Sequence, residues 1–146
     1  MGSLAHTLYV VEEANLVLPL VRSIVKDIVD DFRLLRTAGR ERRVLEIEAQ
    51  TDVHNPSGCA LRLESLKDEV GDYSRRIEGY LEELSALSIE VRDLELGLID
   101  FPALIDGEPA YLSWRLGESG VGYWHPADCG FTERKPVPEA LLVSGV

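Results

Sequence analysis

"LRLESLKDEVGDYSRRIEGYLEELSAL", residues 61–87, decides the fold. Its apolar residues Leu63, Leu66, Val70, Tyr73, Ile77, Tyr80, Leu84 and Leu87 recur at alternating steps of three and four, the period that stacks side chains on one face of an α-helix. The Glu, Leu and Arg residues among them favour the helix. Gly71 and Gly79 fall off the stripe and cost about 1 kcal/mol each relative to alanine. At the helical rise the segment extends about 40 Å, longer than a compact domain of this size is wide, so its greasy face needs a cover along its length.

The preceding segment supplies one. From about Glu12 to Arg36, Leu18, Val21, Val25, Ile28, Phe32 and Leu35 repeat the same alternation, with Val17, Ile24, Val29 and Leu34 widening the stripe. Pro19 cannot donate to the helical ladder, so a kink or a fresh helix start is expected there. Gly39 ends or loosens the segment, Arg40–Gln50 is a continuation or a separate short helix, and Asp52–Gly58, with Asn55-Pro56-Ser57-Gly58, reads as a loop. Two such helices predict an antiparallel α-helical hairpin over about 12–88. A second copy best covers its exposed stripe, giving a homodimeric bundle; a monomer whose sheet covers the stripe is the alternative.

After Leu87 the period changes to alternation in Ile89, Val91, Leu94, Leu96 and Leu98, and "LGLIDFPAL" (96–104) suits an edge strand or a bend. "AYLSWRLG" (110–117) and "VGYWH" (121–125), separated by Gly117-Glu118-Ser119-Gly120, read as a β-hairpin. Pairing Leu116 with Val121 sets Trp114 against Tyr123 and Leu112 against His125. One face then carries Leu112, Trp114, Leu116, Val121, Tyr123 and His125, the other Tyr111, Ser113, Arg115 and Trp124; a loop one residue longer or shorter swaps these partners. The expected architecture is α+β: a helical hairpin, then a small antiparallel sheet of about three strands over 89–126. Residues 1–134 form a single domain, and 135–146 are a tail, ordered only if its apolar end docks.

Fifteen basic against 26 acidic residues leave a formal charge of -11, a field that repels nucleic acid and anionic lipid. A local basic cluster at Arg36, Arg40, Arg42 and Arg43 reads as solvated surface, because acidic residues flank it and no aromatics interleave. Cys59 and Cys129 are far apart and outside any CxxC pair, so reduced thiols in the cytoplasm are expected. No secretory signal, membrane-spanning run or complete myristoylation signal is found, His6 standing where the last needs Ser or Thr.

"EEAN" (12–15) ahead of Leu18-Pro19, "DLELGLIDFPAL" (93–104), "YLSWRLGE" (111–118) and "YWHPADCGF" (123–131) together resemble a bacterial family known as domain of unknown function 2203, over most of the chain and most specifically in its C-terminal third. The family pattern opens with a Thr-x-x-Glu capping box. Here Val10 stands in place of the Thr, so the first helix lacks a side-chain cap worth roughly 1 kcal/mol. The family also tends to carry alanine where this chain has Cys129, which weakens any scheme in which that thiol is essential. The resemblance implies no activity.

Chemistry, if any, concentrates at residues 122–131. His125 and Asp128 are candidate ligands for a divalent metal, with Glu118, Asp100 and His6 as further donors, against a sheet histidine bonded to Asp128 or to a backbone carbonyl. A Cys129–His125 thiolate pair lacks the surroundings of a cysteine nucleophile. Arg115 is placed beside Trp124, where cation–π stacking competes with an anion-binding role. Two functions follow. One is a self-associating helical-hairpin interaction or scaffold protein. The other is a small-molecule or metal-dependent enzyme with candidate residues His125, Asp128, Glu118, Arg115 and Asp100 at the end of the hairpin.

Overall fold

The computed structural model describes residues 7–51 and 56–142. Helix α1 spans Val11–Thr51 and α2 spans Pro56–Ala86, followed by β1 (Glu90–Asp93), β2 (Leu98–Ile105), β3 (Glu108–Arg115), β4 (Tyr123–Pro126), a 3-10 turn (Phe131–Glu133), β5 (Lys135–Pro136) and α3 (Glu139–Leu142). No helix among the described residues is long and apolar enough to cross a membrane.

The helices form the expected antiparallel hairpin. Arg76 holds Asp31 through Nε and Nη2 (3.2 and 3.1 Å), and Arg62 reaches Glu41 at 2.7 Å, which sets the register of α2 along α1. Leu66, Ile77 and Leu84 are buried. These three are covered inside the chain, Leu84 within the core shared with α1 and the sheet, while Leu63, Val70, Tyr73, Tyr80 and Leu87 of the same stripe are half-buried. Val10 caps α1 without a side-chain acceptor, yet half of the capping box survives, since the Val10 N–H donates to Glu13 Oε1 at 3.3 Å. Pro19 does not restart α1, which runs through it as one helix. It stands on the exposed side, where water can take the carbonyl it strands. Gly39 likewise lies inside one continuous helix, and α2 begins at Pro56, so the expected loop at 52–58 loses its last three residues to a helix whose first position suits proline.

The sheet is a meander of five antiparallel strands in the order β1-β2-β3-β4-β5, where about three were expected. The extra strands are short: β1 has four residues, and β5, in the expected tail, has two. Within the expected tail Val137 is buried and its N–H donates to Gly122 O at 2.9 Å, while residues 143–146 of the apolar end lie outside the described residues. The β2–β3 turn is Asp106-Gly107, both with positive φ (54° and 79°), as a two-residue hairpin loop requires. Pro102 is tolerated inside β2 because its side of the strand lies past the end of β1; there Tyr9 N–H donates to Pro102 O at 2.8 Å.

The predicted register of the second hairpin is wrong by one residue. Tyr111 pairs with His125, Leu112 with Trp124 and Ser113 with Tyr123. The connection 116–122 is no tight turn, because Asn15 of α1 captures Val121 from both sides, accepting from its N–H at 2.8 Å and donating to its carbonyl at 3.3 Å. Trp124 consequently joins Leu112, Trp114, Ile99 and Phe101 on the face packed against the helices, while His125 and Tyr123 share the opposite face with Asp100, Tyr111 and Ser113.

Candidate functional site

That opposite face is polar and nonetheless buried. Asp100 and Ser113 are 1 % and 0 % exposed and His125 is 3 % exposed, a burial that charged and polar side chains accept only when paired. Strand alternation brings the groups together: Glu90 lies opposite Asp100, Asp100 opposite Ser113, and His125 opposite Tyr111. His125 Nε2 lies 3.0 Å from Asp100 Oδ2 and His125 Nδ1 lies 2.9 Å from Pro126 O. Arg92 Nε donates to the same Asp100 oxygen at 2.8 Å and Nη2 to Glu90 at 2.8 Å. The guanidinium lies 4.9 Å from the Tyr111 ring, and that ring 5.6 Å from His125, so Arg92, Asp100, His125 and Tyr111 close into one cluster. Desolvation is the largest single influence on Arg92 and opposes its charge, but the hydrogen bond and charge of Asp100, joined by Glu90 and Tyr111, together outweigh it and the guanidinium pKa is raised.

The cluster floors a cleft of about 490 Å³, walled by Leu96, Leu98 and Phe131 and rimmed by Asp93, Asp128 and Cys129. Among the predicted site residues, Asp100, His125 and Asp128 meet here. Glu118 and Arg115 do not. Glu118 Oε1 accepts from the Arg115 backbone N–H at 2.9 Å, and its carboxylate is ion-paired with Arg134, which also donates to Ser113 Oγ at 3.2 Å and stacks between Tyr123 and Phe131. Arg115 is exposed, and Trp124 takes Lys135, 5.1 Å away, as its cationic neighbour. The one-residue register shift accounts for this, having carried Trp124 to the other face. His6 lies outside the described residues. Among those residues no group of three or more His, Cys, Asp and Glu is arranged to hold a metal.

The expected bond from His125 to Asp128 is replaced by one to Asp100, while the backbone-carbonyl alternative is met at Pro126. Both ring nitrogens face protein oxygens and the ring is buried, so His125 is placed to brace the sheet and not to meet a substrate. Arg92 and Arg134, which complete the polar face, were missed. Neither belongs to a motif, and only the strand pairing and the strap 127–134 reveal them.

Cys129 Sγ lies 3.6 Å from Asp128 Oδ1, and desolvation followed by the Asp128 carboxylate pushes the thiol pKa up. The proton is thus retained through neutral pH, the reverse of what a nucleophile needs. Cys129 is expected to alkylate with iodoacetamide several-fold more slowly than free cysteine at pH 8, and Asp128→Asn to accelerate it; equal rates in the two proteins would show that Asp128 does not govern the thiol.

A family model described as "Uncharacterized conserved protein (DUF2203)" matches residues 7–137, which include both long helices and the entire cleft. No curated protein and no solved structure matches the chain.

Proposed function

We propose, for a chain that belongs to the DUF2203 family of uncharacterized conserved proteins, that it binds a small organic cation in the cleft above Asp100 and His125. The observation that carries the reading is the charge of that cleft. Asp93, Asp100 and Asp128 line it against the single guanidinium of Arg92, itself already committed to Asp100 and Glu90. The excess is negative, beside apolar walls from Leu96, Leu98 and Phe131, and the chain's charge of -11 draws cations toward it. Binding is favoured over a chemical step because His125 is buried with both ring nitrogens turned to protein oxygens.

Benzylamine, benzyl alcohol and benzoate share a ring and differ in charge. The amine is expected to raise the melting temperature, the alcohol less and benzoate not at all, and Asp128→Asn is expected to remove the difference between amine and alcohol. Benzoate stabilising the protein more than the amine would reverse the sign of the proposed ligand and end the reading.

A second reading, an interaction protein built on the helical hairpin, is supported by the length of α1 and α2 that extends beyond the sheet. Its homodimeric form has less support, since α1 already covers Leu66, Ile77 and Leu84. Sedimentation at micromolar concentration tests it, a monomer counting against self-association.

A further inference from the structure

The face of α1 that packs on the sheet does not stop where the sheet does. Val25 and Val29 meet Gly97 at the end of the β1–β2 turn. Beyond them the same helical face continues as Arg33, Arg36, Arg40 and Arg43, spaced three, four and three apart over about 15 Å. Where helix and turn meet, Val29 and Phe32 floor a hollow of about 170 Å³ ringed by Arg33, Arg36, Arg40 and Glu95.

In a chain with 26 acidic residues, a row of four guanidiniums with one close ion pair and, at Arg33, a weaker attraction to Asp30 calls for an explanation. Arg36 Nη1 pairs with Glu95 Oε1 at 2.8 Å, but Arg33, Arg40 and Arg43 are exposed and make no ion pair among the described residues. The nearby carboxylates are engaged elsewhere: Glu41 with Arg62, Glu46 with Arg42, and Asp30 with Lys26. Like charges three and four residues apart weaken the helix that carries them, so the row costs stability that a partner would restore.

We infer that this row, together with the hollow beside Glu95, is a docking surface for an acidic helical segment of another protein. Charge and spacing carry the inference. Carboxylates three and four apart on a facing helix meet arginines three and four apart on α1, and the Arg36–Glu95 pair already shows a carboxylate accepted there. Screening confines the attraction to roughly 8 Å in physiological salt, so a short helix can sit on the row while a long polyanion runs onto the acidic remainder of the surface. The surface is separate from the cleft and does not depend on what the cleft binds.

The test uses the whole chain and a fluorescent alanine-based helical peptide of about 20 residues, with Glu at three-four spacing. Anisotropy should report binding that weakens with salt. Arg40→Glu with Arg43→Glu should lower affinity about tenfold or more, whereas Arg40→Lys with Arg43→Lys should stay within about threefold. A peptide of equal composition with its Glu residues spread around the helix should bind about tenfold more weakly. Arg40→Gln with Arg43→Gln repeats the loss should the reversal variant lose helix content. The inference is overturned by an unchanged affinity in the reversal variant, by tighter binding of a DNA duplex than of the peptide, or by a dimer of the chain itself that the reversal dissolves.

Discussion

Asp100→Ala should lower unfolding free energy by about 3–5 kcal/mol, the cost of leaving a buried imidazole without its acceptor added to that of emptying the space of a buried side chain. The carboxylate is 1 % exposed and holds both Arg92 Nε and His125 Nε2, so its removal leaves a buried imidazole facing a void and an exposed guanidinium without its anchor. In urea, where a domain of this size has a slope of roughly 2 kcal/mol per molar, the midpoint should fall by about 2 M. Asp100→Asn keeps the shape and one acceptor and should cost less. His125→Ala combined with Asp100→Ala should cost clearly less than the separate losses added, because each single change already breaks the shared bond. A loss below about 1 kcal/mol for Asp100→Ala would mean that the pair does not brace the sheet, and the cleft floor would lose its rigidity as an argument.

Gly97→Ala should be nearly as costly, about 2–5 kcal/mol. Two causes coincide at this residue. Its φ of +70° is a conformation that side chains rarely adopt, and an added Cβ would lie 2.9 Å from Leu116 Cβ and 3.0 Å from both Val25 Cγ1 and Val29 Cγ2. The methyl group would therefore push the β1–β2 turn off α1 and displace Asp93 and Leu96 at the cleft together with Glu95 at the arginine row. A melting temperature lower by roughly 10 °C is expected. Gly79→Ala, mid-helix on α2 with nothing within 4 Å of its added Cβ, should act in the opposite direction and stabilise by up to about 1 kcal/mol. Similar effects from the two substitutions would deny that close packing at Gly97 seats the sheet on the hairpin.

The helices were readable because their signal is local. A stripe such as Leu63 to Leu87 needs only its own spacing to declare a buried face, and Arg76–Asp31 and Arg62–Glu41 then set the partner alignment. The hairpin register was not readable, because it depends on Asn15, more than a hundred residues away, holding Val121. One residue of slip reversed every side chain of β4. His125 consequently faces Asp100 and the cleft instead of the helices, and Trp124 takes the inward place. Asp100, His125 and Asp128 were identifiable as candidates by residue type, and Glu118 and Arg115 equally so; only folding separated the first set from the second.

By itself, then, the chain's order of residues determined two amphipathic rods, an alternating C-terminal third and an acidic field, since period and charge are properties of neighbours along the backbone. Tertiary structure alone decided that Arg92 would join Asp100, that Arg134 would tie Glu118 to Ser113, and that Arg33, Arg40 and Arg43 would make no ion pair among the described residues. Those outcomes rest on which strand meets which, and at what offset, and backbone spacing does not encode a distance between residues that meet only after the chain has turned back on itself.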